Sequence, residues 1–210
     1  MAPKTPEYTG AVASEPETQT EEVEEERPDP EREARRLVAL AQIRQYPDPV
    51  LRMRAREVES FDEELAQLVS RMTQLMDGAE GAGLAATQVG VLRRVFVVRA
   101  DDNGTIMALV NPEVVEHGEE LETDDEGCLS LQGLLLPVER SVSVTATAKD
   151  PEGTDINLRL EGFVARAFQH ELDHLDGVLI LDRTTEEARR EAMAMLRQRS
   201  ASRGSTGARL

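Results

Sequence analysis

The sequence is short of several features that mark familiar classes of protein. Its 210 residues include one cysteine, Cys128, so no disulfide can form within the chain and no oxidising compartment is needed. No apolar run approaches the length of a membrane span, and the N-terminus lacks the apolar stretch of a signal peptide. We therefore expect a cytoplasmic protein that does not insert into a membrane.

Basic residues are also scarce relative to acidic ones. The chain has 24 Lys and Arg against 41 Asp and Glu, and its formal net charge at pH 7 is −17. Such a surface repels phosphate groups, which argues against unaided, non-specific binding to DNA or to an anionic membrane. No Gly-rich loop is followed by Lys-Ser or Lys-Thr, so a phosphate-binding loop is not predicted either.

The two ends of the chain differ in composition from its middle. Residues 1–36 contain 11 acidic and 5 basic residues and almost no large apolar ones, a composition that favours disorder. Residues 183–210 contain 7 Arg against 3 Glu. We predict a disordered acidic extension over residues 1–36, one catalytic domain over residues 37–199 and a flexible basic tail over residues 200–210.

The middle of the chain contains both helical and strand patterns. Helical spacing of apolar residues predicts helices over residues 61–76, 163–175 and 185–199. Short apolar or alternating runs predict strands over residues 94–98, 107–110, 142–148 and 157–160, with a hairpin turn at residues 101–104. Because the strands are mostly adjacent and the helices are set apart from them, the pattern favours an α+β fold over a doubly wound parallel sheet.

The sharpest chemical signal is the sequence HELDH at residues 170–174. His170 and His174 are four residues apart, so on a helix both imidazoles face the same way and can bind one ion. Glu171 is near enough to take a proton from water at that ion, which is the arrangement of the HExxH metallohydrolases. The chain has only three histidines, and two of them have this spacing, which favours a metal site over chance.

Two histidines need a third protein ligand, and the residues leave two kinds of candidate. As a thiolate, Cys128 would be a soft ligand suited to iron or zinc, although a lone cysteine is more often a small buried hydrophobe. Alternatively, Glu187 or Glu191 would complete a site of the zinc endopeptidase type. Residues 81–88 (GAGLAATQ) add a Gly-rich turn, which either lets a backbone approach a ligand closely or simply leads into a buried helix.

Taken in order, these segments resemble one family. The motifs at residues 81–88, 126–130 (EGCLS) and 169–174 (QHELDH) are similar to those of the peptide deformylases, and residues 43–52 (IRQYPDPVLR) resemble the start of that family. The resemblance implies a co-translational hydrolase that removes the formyl group from N-formylmethionyl nascent peptides. It also implies an α+β fold in which antiparallel β-sheets pack around a central metal-binding helix, to which the pattern adds a C-terminal helix.

The resemblance implies a metal centre and a catalytic carboxylate. Cys128, His170 and His174 would bind one divalent metal ion per chain. In the family this ion is ferrous iron, and zinc, nickel or cobalt can occupy the site. Water activated at the ion would attack the formyl carbon, with Glu171 acting first as general base and then as proton donor to the leaving amine.

The resemblance also implies substrate-binding and supporting residues. The side-chain amide of Gln88 and the backbone N–H of Leu129 would bind the formyl oxygen as it gains negative charge. The backbone of Gly81, Ala82 and Gly83 would pair with the peptide in strand fashion. Phe163 and Ala167 would line the methionine pocket, although core packing also explains their helical spacing. Glu126 and Arg140 would pair and steady the cysteine loop, unless Arg140 is an ordinary surface arginine.

Other functions stay open from the residues alone. A zinc endopeptidase of the HExxH type would keep its metal without Cys128, whereas a non-catalytic metal-binding interaction protein would need neither Glu171 nor Gln88. Separately, the Arg-rich residues 183–210 could contact the ribosome despite the acidic domain, because charge acts locally over a Debye length of about 8 Å. A solvated helix end is the alternative for that segment.

Overall fold

A computed structural model describes residues 29–101 and 104–206, with side chains through residue 199. Residues 1–28 and 207–210, which hold most of the predicted disordered extension and part of the predicted flexible tail, lie outside the described residues. Among the residues that the structure describes, no helix combines the length and apolar character needed to cross a bilayer.

The described residues form an α+β fold. The helices are α1 (Pro30–Leu40), α2 (Glu63–Gly78), α3 (Gly162–Leu175), α4 (Ile180–Arg183) and α5 (Glu186–Thr206). The strands are β1 (Gly83–Ala85), β2 (Val95–Arg99), β3 (Ile106–His117), β4 (Leu121–Gly127), β5 (Leu135–Ser141), β6 (Ser143–Lys149) and β7 (Asp155–Glu161). Short 3-10 helices span Pro49–Arg52 and Ala86–Val89.

The strands form two antiparallel sheets. One sheet has five strands in the order β1-β2-β3-β6-β7, and the other pairs β4 with β5. Strand β1 therefore lies at an edge of the five-stranded sheet. Helix α3 contacts strands of both sheets, so the prediction of antiparallel sheets packed around a central helix is confirmed.

Local chemistry explains where the main helices begin and which face they bury. The Asp62 side chain accepts a hydrogen bond of 3.1 Å from the Leu65 N–H, as expected of an N-cap. Helix α2 then buries Leu65, Met72, Leu75 and Met76, which lie on one face at helical spacing. In α3 the Phe168 ring packs edge-on against Phe96 of β2, with ring centroids 5.2 Å apart. This contact fixes the rotation of α3 and so the direction in which its histidines point.

The predicted N-terminal boundary was wrong in one respect. Residues 30–36 were assigned to the disordered extension, but they form most of α1. The Asp29 carboxylate caps this helix by accepting a hydrogen bond of 3.0 Å from the Glu31 N–H, and Pro30 occupies its first turn. The last turn buries Ala39 and Leu40 in the core. At the other end of the chain, the backbone of α5 continues to Thr206, past the expected end of the domain at residue 199.

Candidate active site

Helix α3 presents both histidines to one side of the molecule. The ring centroids of His170 and His174 lie 5.0 Å apart, and His174 is 1% exposed whereas His170 is half-buried. Phe168 and Leu175 of the same helix are fully buried in the core. The 3.6-residue period therefore places the two imidazoles next to each other, as the spacing in the sequence predicts.

Cys128 follows strand β4 and brings its thiol to these histidines. Its Sγ lies 3.2 Å from His174 Nε2, and ligand atoms of Cys128, His170 and His174 all lie within 4.8 Å of one another. Two such ligands of one tetrahedral ion are about 3.5 Å apart, given usual metal–sulfur and metal–nitrogen distances. By contrast, Glu187 and Glu191 are exposed on α5, and within the described residues the candidate metal group contains neither.

The surroundings of the three ligands fit a divalent ion. The Glu126 carboxylate lies 2.9 Å from His170 Nδ1, which orients the ring and leaves Nε2 to bind a metal. Glu171 Oε2 is buried without a hydrogen-bond partner among the described residues. One thiolate and two imidazoles form a donor set that suits iron and zinc. The residues therefore fit the divalent metal ion that the sequence predicts.

Glu171 is held in a tight, dry position. Its side chain is 4% exposed, and it lies against the backbone of Gly83 in β1: a Cβ atom on Gly83 would be 2.7 Å from Glu171 Cγ and 2.8 Å from Cδ. Burial raises the pKa of the Glu171 carboxyl to about 7, and the charge of His170 opposes this rise. A carboxyl with this pKa can both accept and return a proton near neutral pH.

Gln88 points its amide nitrogen toward the cysteine. Its Oε1 accepts a hydrogen bond of 2.8 Å from the Ala85 N–H, and because a backbone N–H can only donate, this contact fixes which amide atom is oxygen. The Nε2 group consequently lies 3.1 Å from Ser130 Oγ and 3.7 Å from Cys128 Sγ. Gln88 is 1% exposed, so its N–H groups form a fixed donor at the candidate metal site.

The loop that carries Cys128 and Leu129 is tied to the segment before α2. Gln45 Nε2 donates a hydrogen bond of 2.9 Å to the Leu129 carbonyl, and the Tyr46 N–H donates one of 3.0 Å to the Ser130 carbonyl. Leu129 itself is half-buried in the wall of the cavity described below. Residues 43–52, which we noted only for their resemblance to the family, thus position the cysteine loop.

A buried ionic network supports the histidines. Arg140 donates to Glu126 at 2.8 and 3.0 Å, and both side chains are 5% exposed, so Arg140 is not an ordinary surface arginine. Burial alone would raise the pKa of the Glu126 carboxyl, but its hydrogen bonds with His170 and Arg140 lower that pKa to about 2. Glu126 therefore stays ionised and can hold the His170 ring over a wide pH range.

Sequence reasoning missed the other half of this network. Asp173 accepts hydrogen bonds from Arg140 at 2.7 Å and from Arg183 at 2.6 and 3.0 Å, and Arg166 donates to Glu126 at 3.0 Å. One signal could have identified Asp173: it lies three residues after His170, inside the HELDH motif and on the neighbouring helix face. Nothing in the sequence singled out Arg166 or Arg183, because their partners are distant along the chain.

The site opens into a cavity of about 410 Å³. Its walls include the backbone of β1 and the turn before it, the cysteine loop and the first turns of α3. Of the residues predicted to bind substrate, all five line it: Gly81, Ala82, Gly83, Phe163 and Ala167. Phe163 is 63% exposed and so is not a core residue, whereas Ala167 contributes both to the cavity wall and to the buried core.

Comparison with known proteins bears directly on this arrangement. The polypeptide deformylase family model matches residues 40–190, which include Glu171, Gln88 and the three candidate ligands Cys128, His170 and His174. The chain belongs to the peptide deformylase family. It is 45% identical to the peptide deformylase of Desulforudis audaxviator over 148 residues, which cover 70% of this chain and 96% of that one. The resemblance predicted from the sequence is therefore confirmed.

Solved peptide deformylase structures share the fold. The Plasmodium falciparum peptide deformylase superposes with a TM-score of 0.72 and 33% sequence identity, covering 80% of this chain and 99% of that chain. The enzyme from Thermotoga maritima has a TM-score of 0.66 and 44% identity, covering 68% of this chain and 96% of that chain. At these identities the likeness extends from the fold to the family.

Proposed function

We propose that this deformylase hydrolyses the formyl group from N-formylmethionyl nascent peptides, with Cys128, His170 and His174 holding the metal and Glu171 moving the proton. One observation carries the proposal: a Cys-His-His group lies beside an unpartnered, buried carboxylate oxygen of Glu171. Cys128, His170 and Glu171 stand at the wall of a cavity that an edge strand borders.

The thiolate of Cys128 and the imidazoles of His170 and His174 determine which metal ions suit the site. We propose ferrous iron as the resident ion, and zinc, nickel or cobalt as substitutes that a thiolate and two imidazoles also accept. When bound, a divalent ion supplies Lewis-acid polarisation of the formyl carbonyl and lowers the pKa of water at the site. Everything else in the reaction falls to side chains and backbone of this chain.

Glu171 handles the proton. Its Oε2 accepts a proton from the attacking water as the oxygen of that water bonds to the formyl carbon. The same oxygen then returns the proton to the methionine nitrogen as the carbon–nitrogen bond breaks, and formate leaves. Burial, which raises the pKa of Glu171, also excludes other water molecules from this transfer.

Gln88 and Leu129 stabilise the charge that develops on the formyl oxygen. The Gln88 amide is fixed by the Ala85 N–H, so its Nε2 needs no reorganisation before it donates to that oxygen. The Leu129 backbone N–H would donate from the other side, since the cysteine loop is held through the Leu129 and Ser130 carbonyls. Removing one such donor from other hydrolases costs about 10²- to 10³-fold in rate.

The peptide would bind as an added strand. Strand β1 pairs with β2 along one edge, and the segment of Gly81, Ala82 and Gly83 borders the cavity. A substrate backbone laid along that segment would place its methionine side chain beside Phe163 and Ala167. Small residues in the segment let the two backbones approach closely.

The alternatives have less support. A zinc endopeptidase with a downstream glutamate ligand would need Glu187 or Glu191 at the histidines, but both are exposed on α5. A non-catalytic metal protein has no use for a buried, unpartnered Glu171 or for an oriented Gln88.

Two further predictions concern the surroundings of the enzyme. We propose that Arg-rich α5 contacts ribosomal RNA, because Arg190 and Arg197 are exposed on it. Reversing both charges should reduce co-sedimentation with ribosomes if this is so, and unchanged co-sedimentation would count against it. A cytoplasmic location, where formylated nascent chains arise, is the accompanying prediction.

Formate release tests the proposed function directly. The chain, purified without oxygen and loaded with Fe²⁺, should release formate from formyl-Met-Ala-Ser. It should release no acetate from acetyl-Met-Ala-Ser, whose extra methyl group replaces the formyl hydrogen. Cleavage of internal peptide bonds instead of formate release would favour the endopeptidase, and a metal-loaded protein with neither activity would favour the non-catalytic alternative.

A further inference from the structure

Helix α1 adds to the cleft a charged side chain from outside the residues that the family model matches. The matched residues begin at 40, whereas α1 spans Pro30–Leu40. Arg36 of this helix lines the same cavity as Cys128, His170 and Glu171, and so does Leu40. The cleft of this chain is therefore built partly from a segment that lies outside the matched region.

Contacts with the domain hold α1 in place. Leu40 and Ala39 are buried in the core, and a Cβ atom on Gly78 of α2 would lie 3.2 Å from Ala39 Cβ. About two turns earlier in the helix, the Arg32 guanidinium is hydrogen bonded to the Glu80 carboxylate. The helix is thus attached at two places, and Arg36 lies between them.

The Arg36 guanidinium is in a position to exchange partners. Within the described residues its ion pairs closer than 4 Å are limited to Glu33, at 3.8 Å, and both side chains are substantially exposed, at 39% and 47%. Such exposed pairs hold a side chain only weakly. The nearby Glu80 carboxylate is hydrogen bonded to Arg32, and the pKa of Glu80 is lowered by that bond and also by the charge of Arg36, which lies close to Glu80 without pairing with it directly.

The order of residues along the cleft indicates which part of a substrate meets Arg36. Gly83 lies against Glu171, so it marks the end where the formyl group reacts. Glu80 and Gly81, two to three residues away along the chain, also line the cavity. Arg32 is hydrogen bonded to Glu80, and Arg36 lies one turn further along the same helix, so Arg36 stands at this end of the wall. An added strand advances about 3.3 Å per residue, so its third residue comes beside the Arg36 end.

We propose that Arg36 recognises the third residue of the formylated peptide and favours an acidic side chain there. This inference rests on the proposed deformylase activity and adds a specificity-determining residue to it. Asp124 and Asp125 border the same cavity, and their negative charges will repel acidic peptides and attract basic ones in every variant. The contribution of Arg36 is therefore measured as the change in peptide preference between variants, not as the preference of the wild type alone.

The test compares formyl-Met-Ala-Glu amide with formyl-Met-Ala-Lys amide in the full-length, metal-loaded chain. In Arg36→Glu the ratio of kcat/KM for the Glu peptide to that for the Lys peptide should fall by about three-fold or more, as expected for loss and reversal of a partly exposed ion pair. Arg36→Lys should keep most of the ratio, because it keeps the charge. Arg35→Glu is the matched control, since Arg35 lies on the same helix, is exposed and does not line the cavity.

Each outcome decides the matter. A ratio that falls in Arg36→Glu but stays at the wild-type value in Arg35→Glu supports the proposal. An unchanged ratio in Arg36→Glu, or an equal change in Arg35→Glu, overturns it. A wild-type chain that releases no formate from formyl-Met-Ala amide, which lacks the third residue, overturns the proposed function and this inference with it.

Discussion

Replacing Gly83 with alanine tests how closely Glu171, the proposed catalytic carboxylate, is positioned. Gly83 lies in β1 with its backbone directly against Glu171, and an added Cβ would lie 2.7 Å from Glu171 Cγ and 2.8 Å from Cδ. Ordinary van der Waals contacts begin at 3.4 Å. Glu171 Oε1 would be closer still, so one of the two groups must move by at least about 0.7 Å.

The displacement should fall mainly on Glu171. Strand β1 is paired with β2 over all three of its residues, whereas the Glu171 Oε2 atom has no hydrogen bond that holds it among the described residues. A misplacement of about 1 Å in a catalytic group can cost about 10²-fold in rate. We therefore expect kcat/KM for formyl-Met-Ala-Ser to fall by about 30- to 100-fold in Gly83→Ala.

Formate release and bound metal should be measured together for this variant. The metal content should remain at the wild-type value, because the three atoms nearest to the new methyl group all belong to Glu171, which is not one of the proposed ligands. Gly78→Ala is a suitable control, since its Cβ would lie 3.2 Å from the Ala39 methyl group, and neither Gly78 nor Ala39 lines the cavity. Wild-type kcat/KM in Gly83→Ala would refute the reasoning, as would loss of metal with the activity.

Three further predictions concern the network around the site and the stability of the fold. Glu126→Gln should weaken metal binding about 10- to 100-fold, which chelator competition measures. It should also lower the free energy of unfolding by about 3 kcal/mol, which urea unfolding measures. An unchanged metal affinity would contradict the proposed role of Glu126 in orienting His170. Asn111→Ala should lower the free energy of unfolding by about 2 kcal/mol, because the Asn111 side chain is hydrogen bonded to the Val58 N–H and carbonyl at 2.8 and 2.9 Å. Asn111→Gly should lower it by nearly as much, although glycine accepts the φ of 49° at this position, because it loses the same two hydrogen bonds. Burial would raise the pKa of the Asp182 carboxyl, but hydrogen bonding to Arg52 lowers it below its ordinary value. The ionised Asp182 therefore stabilises the fold fully above its pKa in the unfolded chain, about 3.9. This stabilisation is lost as the pH falls through the lower pKa of Asp182 in the folded protein. Asp182→Asn should consequently reduce the free energy of unfolding more at pH 7 than at pH 3, and equal reductions would count against this.

The helices that carry the site were predictable because their apolar residues repeat at helical spacing. The predicted helix at residues 61–76 became α2, and that at residues 163–175 became α3, with bounds that differ by two residues or fewer. Hairpin pairing of β2 with β3 was also predicted, from the turn at residues 101–104. In each case a local pattern and the tertiary environment favour the same structure.

Strand β4 was missed because its sequence carries no apolar alternation. Its residues, LETDDEG, include acidic side chains that are disfavoured in strands, and Glu126 is its one buried residue. Pairing with β5 along its whole length, together with the ionic contacts of Glu126, stabilises a strand that local propensity does not predict. Helix α1 was missed for a similar reason: its polar sequence becomes ordered through the two apolar residues of its last turn.

For the site, the sequence predicted which residues are chemically able to act but not how they meet. The spacing of His170 and His174 was sufficient to predict a shared ion, because both lie on one helix. The third ligand stayed open between Cys128 and a glutamate on the last helix, since only the fold brings Cys128 to the histidines. The ion pairs of Asp173 were likewise not predictable, because only the fold brings its arginine partners, Arg140 and Arg183, to it.

The most direct test of the central claim measures formate release and metal content together in three proteins. Wild type, Glu171→Gln and Cys128→Ala would be purified without oxygen and assayed with formyl-Met-Ala-Ser. We predict turnover in the wild type alone, with metal retained in Glu171→Gln and lost in Cys128→Ala. Turnover that persists in Glu171→Gln, or metal that stays bound in Cys128→Ala, would contradict the assigned roles of these two residues.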